Sequence, residues 1–92
     1  MIGFIRHNKI DQVSVAVVDV KKGDAVEGWT MEDDSTMTVT ATADIPLGHK
    51  MAVTSRAKGD KVIKYGVSIG IASESFEVGD HVHTHNLKTA RW

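Results

Sequence analysis

The 92-residue sequence contains no cysteine, which excludes a disulfide framework, a CxxC redox site and any thiolate metal centre. Aromatic residues are scarce: Phe4, Trp29, Tyr65, Phe76 and Trp92 are too few and too scattered for a base-stacking platform. No sign of charge dominates, since 11 basic residues against 12 acidic ones leave −1, and no strong field draws nucleic acid or an anionic membrane. No stretch approaches the roughly 18 apolar residues of a membrane span. The opening residues 1–7 lack the apolar core of a signal peptide, and Asp11 soon interrupts them. The chain is therefore expected to be soluble and cytoplasmic, with no nucleic-acid or membrane partner. A chain of this length makes one domain, 1–92, whose folding buries roughly 64% of the extended surface. That supports one core but no lidded cleft.

Helical periodicity is also missing. The segment 36–41 alternates polar and apolar with period two, as a half-buried strand does. Residues 67–72 alternate likewise, with Val67, Ile69 and Ile71 on one face and Ser68, Gly70 and Ala72 on the other, small enough for another backbone to approach closely. The β-branched run 13–18 reads as a strand buried on both faces. Further strands are expected at 3–7, 25–31, 51–55, 61–64 and 81–86. The fold class is all-β, with little or no helix. A short signature, x-Gly-Asp-x-Val, occurs three times, at 22–26, 58–62 and 78–82. Glycine supplies a turn's positive φ and aspartate can bond back to the turn's own backbone, so each copy marks a strand start. The only proline lies in 44–48, Asp-Ile-Pro-Leu-Gly, a further turn ahead of His49. The acidic run 32–35 reads as a solvated turn.

Histidine is the compositional oddity: three of five occupy positions 81, 83 and 85. A strand over 81–86 points all three the same way, with neighbours about 6.6 Å apart along it. Two imidazoles at that spacing can converge on one metal, while Val82 takes the opposite face toward the core. The competing reading is a solvated strand face without a ligand. Asn86 adds an amide donor and acceptor beside the rings. Lys50, after His49, and Lys64, before Tyr65, can each clamp a carboxylate or act as a base if desolvation lowers the pKa; as surface lysines they do neither. His7 reads as structural or exposed. No Ser–His–Asp order with supporting motif context is present, nor a phosphate-cradling glycine loop, and no pair of catalytic carboxylates can be placed.

Three segments in order, 44–50 (Asp-Ile-Pro-Leu-Gly-His-Lys), 62–66 (Val-Ile-Lys-Tyr-Gly) with Ile69-Gly70, and 79–86 (Gly-Asp-His-Val-His-Thr-His-Asn), resemble the small N-terminal domain of the altronate and galactarate dehydratase family. The Asp-Ile-Pro-x-Gly turn is similar to that of the wider SAF superfamily. The resemblance covers most of the chain from about Val13 onward. It implies an SAF-like β-clip of hairpins and lyase chemistry on hydroxy acids, in which a base removes the proton beside a carboxylate and a β-substituent leaves. Because the chain stops soon after the histidines, it resembles members whose small and large parts are separate polypeptides, either split dehydratases that release water or sulfolactate sulfo-lyases that release sulfite. The segment 28–31 and the Asn-Leu-Lys-Thr-x-Arg-Trp ending resemble the latter.

The resemblance implies a divalent metal, iron or manganese, shared with a large catalytic subunit and a small hydroxy-acid substrate. By motif match, Lys50, Lys64 and His49 are expected to be catalytic. Tyr65, Asn86 and His81 are expected to contact or orient substrate, and His83 and His85 to bind metal. Such a subunit is expected to be inactive alone and to dock through an apolar patch on the histidine side, including Trp29 or Trp92. Two other readings stand beside this one: a stand-alone SAF-type module that binds a sugar acid or a protein, and a small histidine-based metal-binding protein.

Overall fold

The computed structural model describes residues 2–89. Among these there are nine strands and no helix: β1 (Ile2–Arg6), β2 (Val13–Ala16), β3 (Ala25–Thr30), β4 (Ser35–Thr40), β5 (Lys50–Ala52), β6 (Lys61–Lys64), β7 (Val67–Ala72), β8 (His81–Val82) and β9 (Leu87–Thr89). They form a six-stranded sheet of order β4-β3-β1-β2-β5-β8 and a three-stranded sheet of order β6-β7-β9. Hairpins dominate, as expected, but β1 and β3 pair in parallel. No helix of the described residues is long and apolar enough to cross a membrane.

Alternation along β2 and β5 sends side chains to two cores. Ala16 and Met51 join Phe4, Val26 and Ile45 on one face. Val13, Ala52 and Val82 face the other way and meet Val62, Ala72 and Leu87 of the small sheet. There are therefore two cores, where the chain length suggested one. The run 13–18 is shorter as a strand than expected: β2 stops at Ala16 and Val17 is exposed. In β7 the expected apolar face splits. A bulge at Ile69 breaks the period of two, so Ile69 packs against the second core while Val67 and Ile71 face solvent. The small-residue prediction holds at Gly70, where an added Cβ would strike the Lys88 carbonyl of β9.

The Gly-Asp turns belong to a longer unit that occurs four times. Each copy runs from a buried alanine through a bridge residue, four positions on, to a glycine and its successor: Ala16–Val20–Gly23–Asp24, Ala41–Ile45–Gly48–His49, Ala52–Arg56–Gly59–Asp60 and Ala72–Phe76–Gly79–Asp80. The copies pair by twos. Val20 bridges Ile45, and Arg56 bridges Phe76. Within the first pair Gly23 N–H donates to Ala41 O and Gly48 N–H to Ala16 O; within the second, Gly59 N–H donates to Ala72 O and Gly79 N–H to Ala52 O. All four glycines have φ between 87° and 94°, a region that side chains with a Cβ rarely adopt. The first pair supplies Ala16, Val20, Ala41 and Ile45 to the first core; the second supplies Ala52, Ala72 and Phe76 to the other.

Candidate functional site

The strand expected over 81–86 ends at Val82. Asn86 is the cause. Its side chain is buried, its Oδ1 accepts the His83 N–H at 2.9 Å, and its Nδ2 donates to the His81 carbonyl at 2.9 Å. The His83 carbonyl in turn accepts the Asn86 and Leu87 N–H groups. The chain therefore turns at 83–86, and this turn, not strand alternation, gathers the rings. His81 and His83 stack with centroids 5.5 Å apart and planes 9° apart, and His85 lies 5.5 Å from His81.

His49 enters the same cluster from the second turn copy. Its Nδ1 lies 2.9 Å from His81 Nε2, and its ring stacks on His83 at 4.8 Å. His49, His81 and His83 each present a ring nitrogen, all three within 4.8 Å of one another. Metal–nitrogen bonds of about 2.0–2.1 Å place tetrahedral donors about 3.3 Å apart, so modest ring rotations bring these three nitrogens onto one ion. Burial lowers the His81 pKa, and the neighbouring His49, His85 and His83 add to the effect. The ring thus keeps a free lone pair at neutral pH, the form a metal requires.

The lysines form a second group. Lys50 pairs across β8 with Val82, whereas His81 pairs with Met51, so Lys50 and His81 emerge on opposite faces of the sheet edge. Burial pushes the Lys50 ammonium below the ordinary lysine range, and the charge of Lys64 pushes the same way. Neither lysine has an ion-pair partner among the described residues. Lys64 Nζ sits 4.8 Å over the Tyr65 ring, which meets His7 edge-on at 4.7 Å. Tyr65 adopts φ 54°, costly for a residue with a Cβ, and Gly66 follows at φ 74°.

Asp11 holds this strained turn. Its buried carboxylate accepts N–H groups from Tyr65 (2.9 Å), Gly66 (2.9 Å) and Asn8 (3.1 Å). Gln12 adds a second clasp, its Oε1 accepting the Ile63 N–H at 2.8 Å. The sequence carries only a lone aspartate at a strand entry, and nothing local ties it to a turn more than 50 residues away.

The expected apolar patch lies on the lysine side. Val17 and Met31, both exposed, share a groove of about 280 Å³ with Ile5, Val15, Lys64 and Tyr65. The groove beside the histidines is lined by Thr42, Glu74, Ser75 and Asp80 among others. Trp29 is on β3, with three strands between it and β8 in the sheet, and its indole N–H donates to Asp34. Trp92 lies outside the described residues.

The altronate/galactarate dehydratase SAF domain family matches residues 2–90. The chain belongs to that family. Within it, the chain is 44% identical over 92 residues to the (2R)-sulfolactate sulfo-lyase subunit alpha of Chromohalobacter salexigens, covering 99% of this chain and 98% of that one. It is 55% identical over 60 residues to the subunit of the same name in Paracoccus pantotrophus, spanning 65% of this chain and 90% of that subunit. Altronate dehydratase of Bacillus subtilis is 36% identical over 89 residues, 97% of this chain but 17% of the longer enzyme. This SAF chain therefore has the size of a separate lyase subunit, while in the dehydratase the same region is a small part of a larger enzyme.

Proposed function

We propose that this chain is the small subunit of a lyase acting on a small hydroxy acid, sulfolactate foremost, and that it completes an active site on a larger catalytic subunit. One observation carries the reading: a full-length match to a lyase subunit alpha in a chain whose matched motifs bring His49, His81 and His83 within reach of one ion.

The three imidazoles suit iron better than manganese, since nitrogen donors favour the later metals of the series. A divalent ion bound there acts as a Lewis acid on substrate oxygen. His49, His81 and His83 would hold it, in place of the His83–His85 pair expected from the motif, because His85 falls outside the group of converging nitrogens; His85, beside His81, is left to contact substrate. Asn86 acts by fixing the backbone of His81 and His83. On the lysine face, Lys64 neutralises the substrate carboxylate and Tyr65 lies against it. Lys50, its ammonium disfavoured, is the side chain of this chain best suited to take the proton from the carbon beside that carboxylate. The C–H electrons then form the carbon–carbon double bond, and sulfite leaves with the electrons of the C–S bond; in a dehydratase the hydroxyl leaves with the electrons of the C–O bond and takes up a proton, equivalent to the one removed from carbon, to depart as water. Because the two groups of side chains open on opposite faces of one sheet edge, the partner subunit must wrap that edge to enclose both.

Co-expression with the large subunit from the same source, followed by assay of sulfite release from (R)-sulfolactate and of keto-acid formation from altronate and galactarate, tests the reading. Turnover is expected from the complex alone, lost on chelation and restored by Fe(II), with Lys64→Met raising KM by about tenfold or more. Turnover by the isolated chain, or full activity of a His81→Ala complex, overturns it.

A further inference from the structure

In three of the four turn copies an aspartate closes its own turn. The carboxylate accepts the backbone N–H three residues earlier: Asp24 from Lys21 at 3.0 Å, Asp60 from Ala57 at 3.0 Å and Asp80 from Glu77 at 2.8 Å. The second copy differs at both ends of that bond, with Pro46 at the donor position and His49 at the acceptor position. Its backbone is otherwise the same. His49 N–H donates to Pro46 O at 2.9 Å, as Asp24, Asp60 and Asp80 do to their counterparts at 3.0 Å, and Gly48 has φ 87° beside 91°, 92° and 94°. Proline has no N–H to offer. The bond that fixes the side chain in the other copies is thus absent here from both sides.

We infer that Pro46 is a positioning residue for His49. By removing the donor that captures the side chain in the other copies, it leaves the imidazole Nδ1 free to face His81, where the two nitrogens lie 2.9 Å apart. An N–H at position 46 would compete for that nitrogen and draw the ring back over its own turn, away from His81 and His83. A structural turn thereby becomes a ligand-bearing one by two exchanges that compensate each other. What the ring binds rests on the metal reading under Proposed function; the compensation between positions 46 and 49 does not.

The test is a double-mutant cycle on the full chain, with Pro46→Ala, His49→Asp and the double variant followed by thermal unfolding, together with Zn(II) titration. His49→Asp in the Pro46 background leaves the new carboxylate without its donor. In the Pro46→Ala background the same change completes the turn, and its effect on Tm is expected to be more favourable by about 4 °C or more. The effect of the new charge beside His81 is common to both backgrounds and cancels. Equal effects of His49→Asp in the two backgrounds would mean that a carboxylate gains no more from that N–H than the imidazole does, and would overturn the compensation between positions 46 and 49. Pro46→Ala is expected to weaken Zn(II) binding about tenfold with an unchanged far-ultraviolet spectrum, and unchanged affinity overturns the positioning role. If the unsubstituted chain binds no Zn(II), the metal reading falls, while the Tm cycle still decides the relation between Pro46 and His49.

Discussion

Lys50 sits where its charge is disfavoured twice over, by burial and by Lys64, and the described residues supply no anion in return. If Lys50 serves the proposed site at the expense of stability, its substitution has a characteristic signature. Lys50→Met keeps the aliphatic stem and deletes the charge; with solvent screening most of the repulsion, it is expected to raise Tm by about 1–2 °C and to remove turnover of the reconstituted complex. A lower Tm in calorimetry would show that the ammonium is compensated after all. Legibility at this scale divided sharply. Val82, read as facing the core, is fully buried, and the clustered histidines were visible as a pattern in the sequence. The partners of Asp11 were not, because a carboxylate that caps a turn more than 50 residues distant leaves no local trace.

At the level of elements, three turns were legible because glycine and aspartate announce them. The fourth escaped notice as a copy because His49 stands where the other three have aspartate. Strand ends were the least legible. The 81–86 segment alternates as a strand does, yet Asn86 satisfies two backbone groups of its own neighbours and turns the chain instead. β7 misled for another reason, since a bulged residue shifts every side chain beyond it. The four equivalent glycines also give an internal comparison. A Cβ at Gly23, Gly48 or Gly59 meets nothing within 4 Å, whereas at Gly79 it would strike the Thr40 carbonyl. Alanine at the first three is expected to cost about 1–2 kcal/mol each, from backbone conformation alone. Gly79→Ala is expected to cost roughly 3 kcal/mol or more, because backbone must also move. Urea unfolding of the four variants ranks them; a Gly79→Ala chain as stable as Gly59→Ala would contradict the order.

For the whole molecule, the all-β class followed from the absence of helical periodicity, but the division into two cores did not, because it depends on which strands share a sheet. Acid is the natural probe of the histidine cluster. His81 binds its proton less tightly folded than unfolded, so the unfolded chain takes up more protons as pH falls and stability declines. In metal-free protein the decline is expected to begin as pH drops through about 6.5, the ordinary histidine value, and to level off below the folded one. His81→Gln should flatten that segment of the profile in urea titrations; an unchanged slope would place the proton uptake elsewhere.

The pairing of the turn copies divides the chain into two halves, each with its own core, and the imidazoles come from both: His49 closes a turn of the first half, while His81 and His83 follow the last turn of the second. An ion held among them is therefore a clasp across the seam between halves. Filling it adds a further tie between parts that already meet along β2 and β5, through Asp11 and Gln12, and where the Thr42 N–H donates to the Gly79 carbonyl, and amide exchange is expected to slow in both cores at once instead of only around the bound ion.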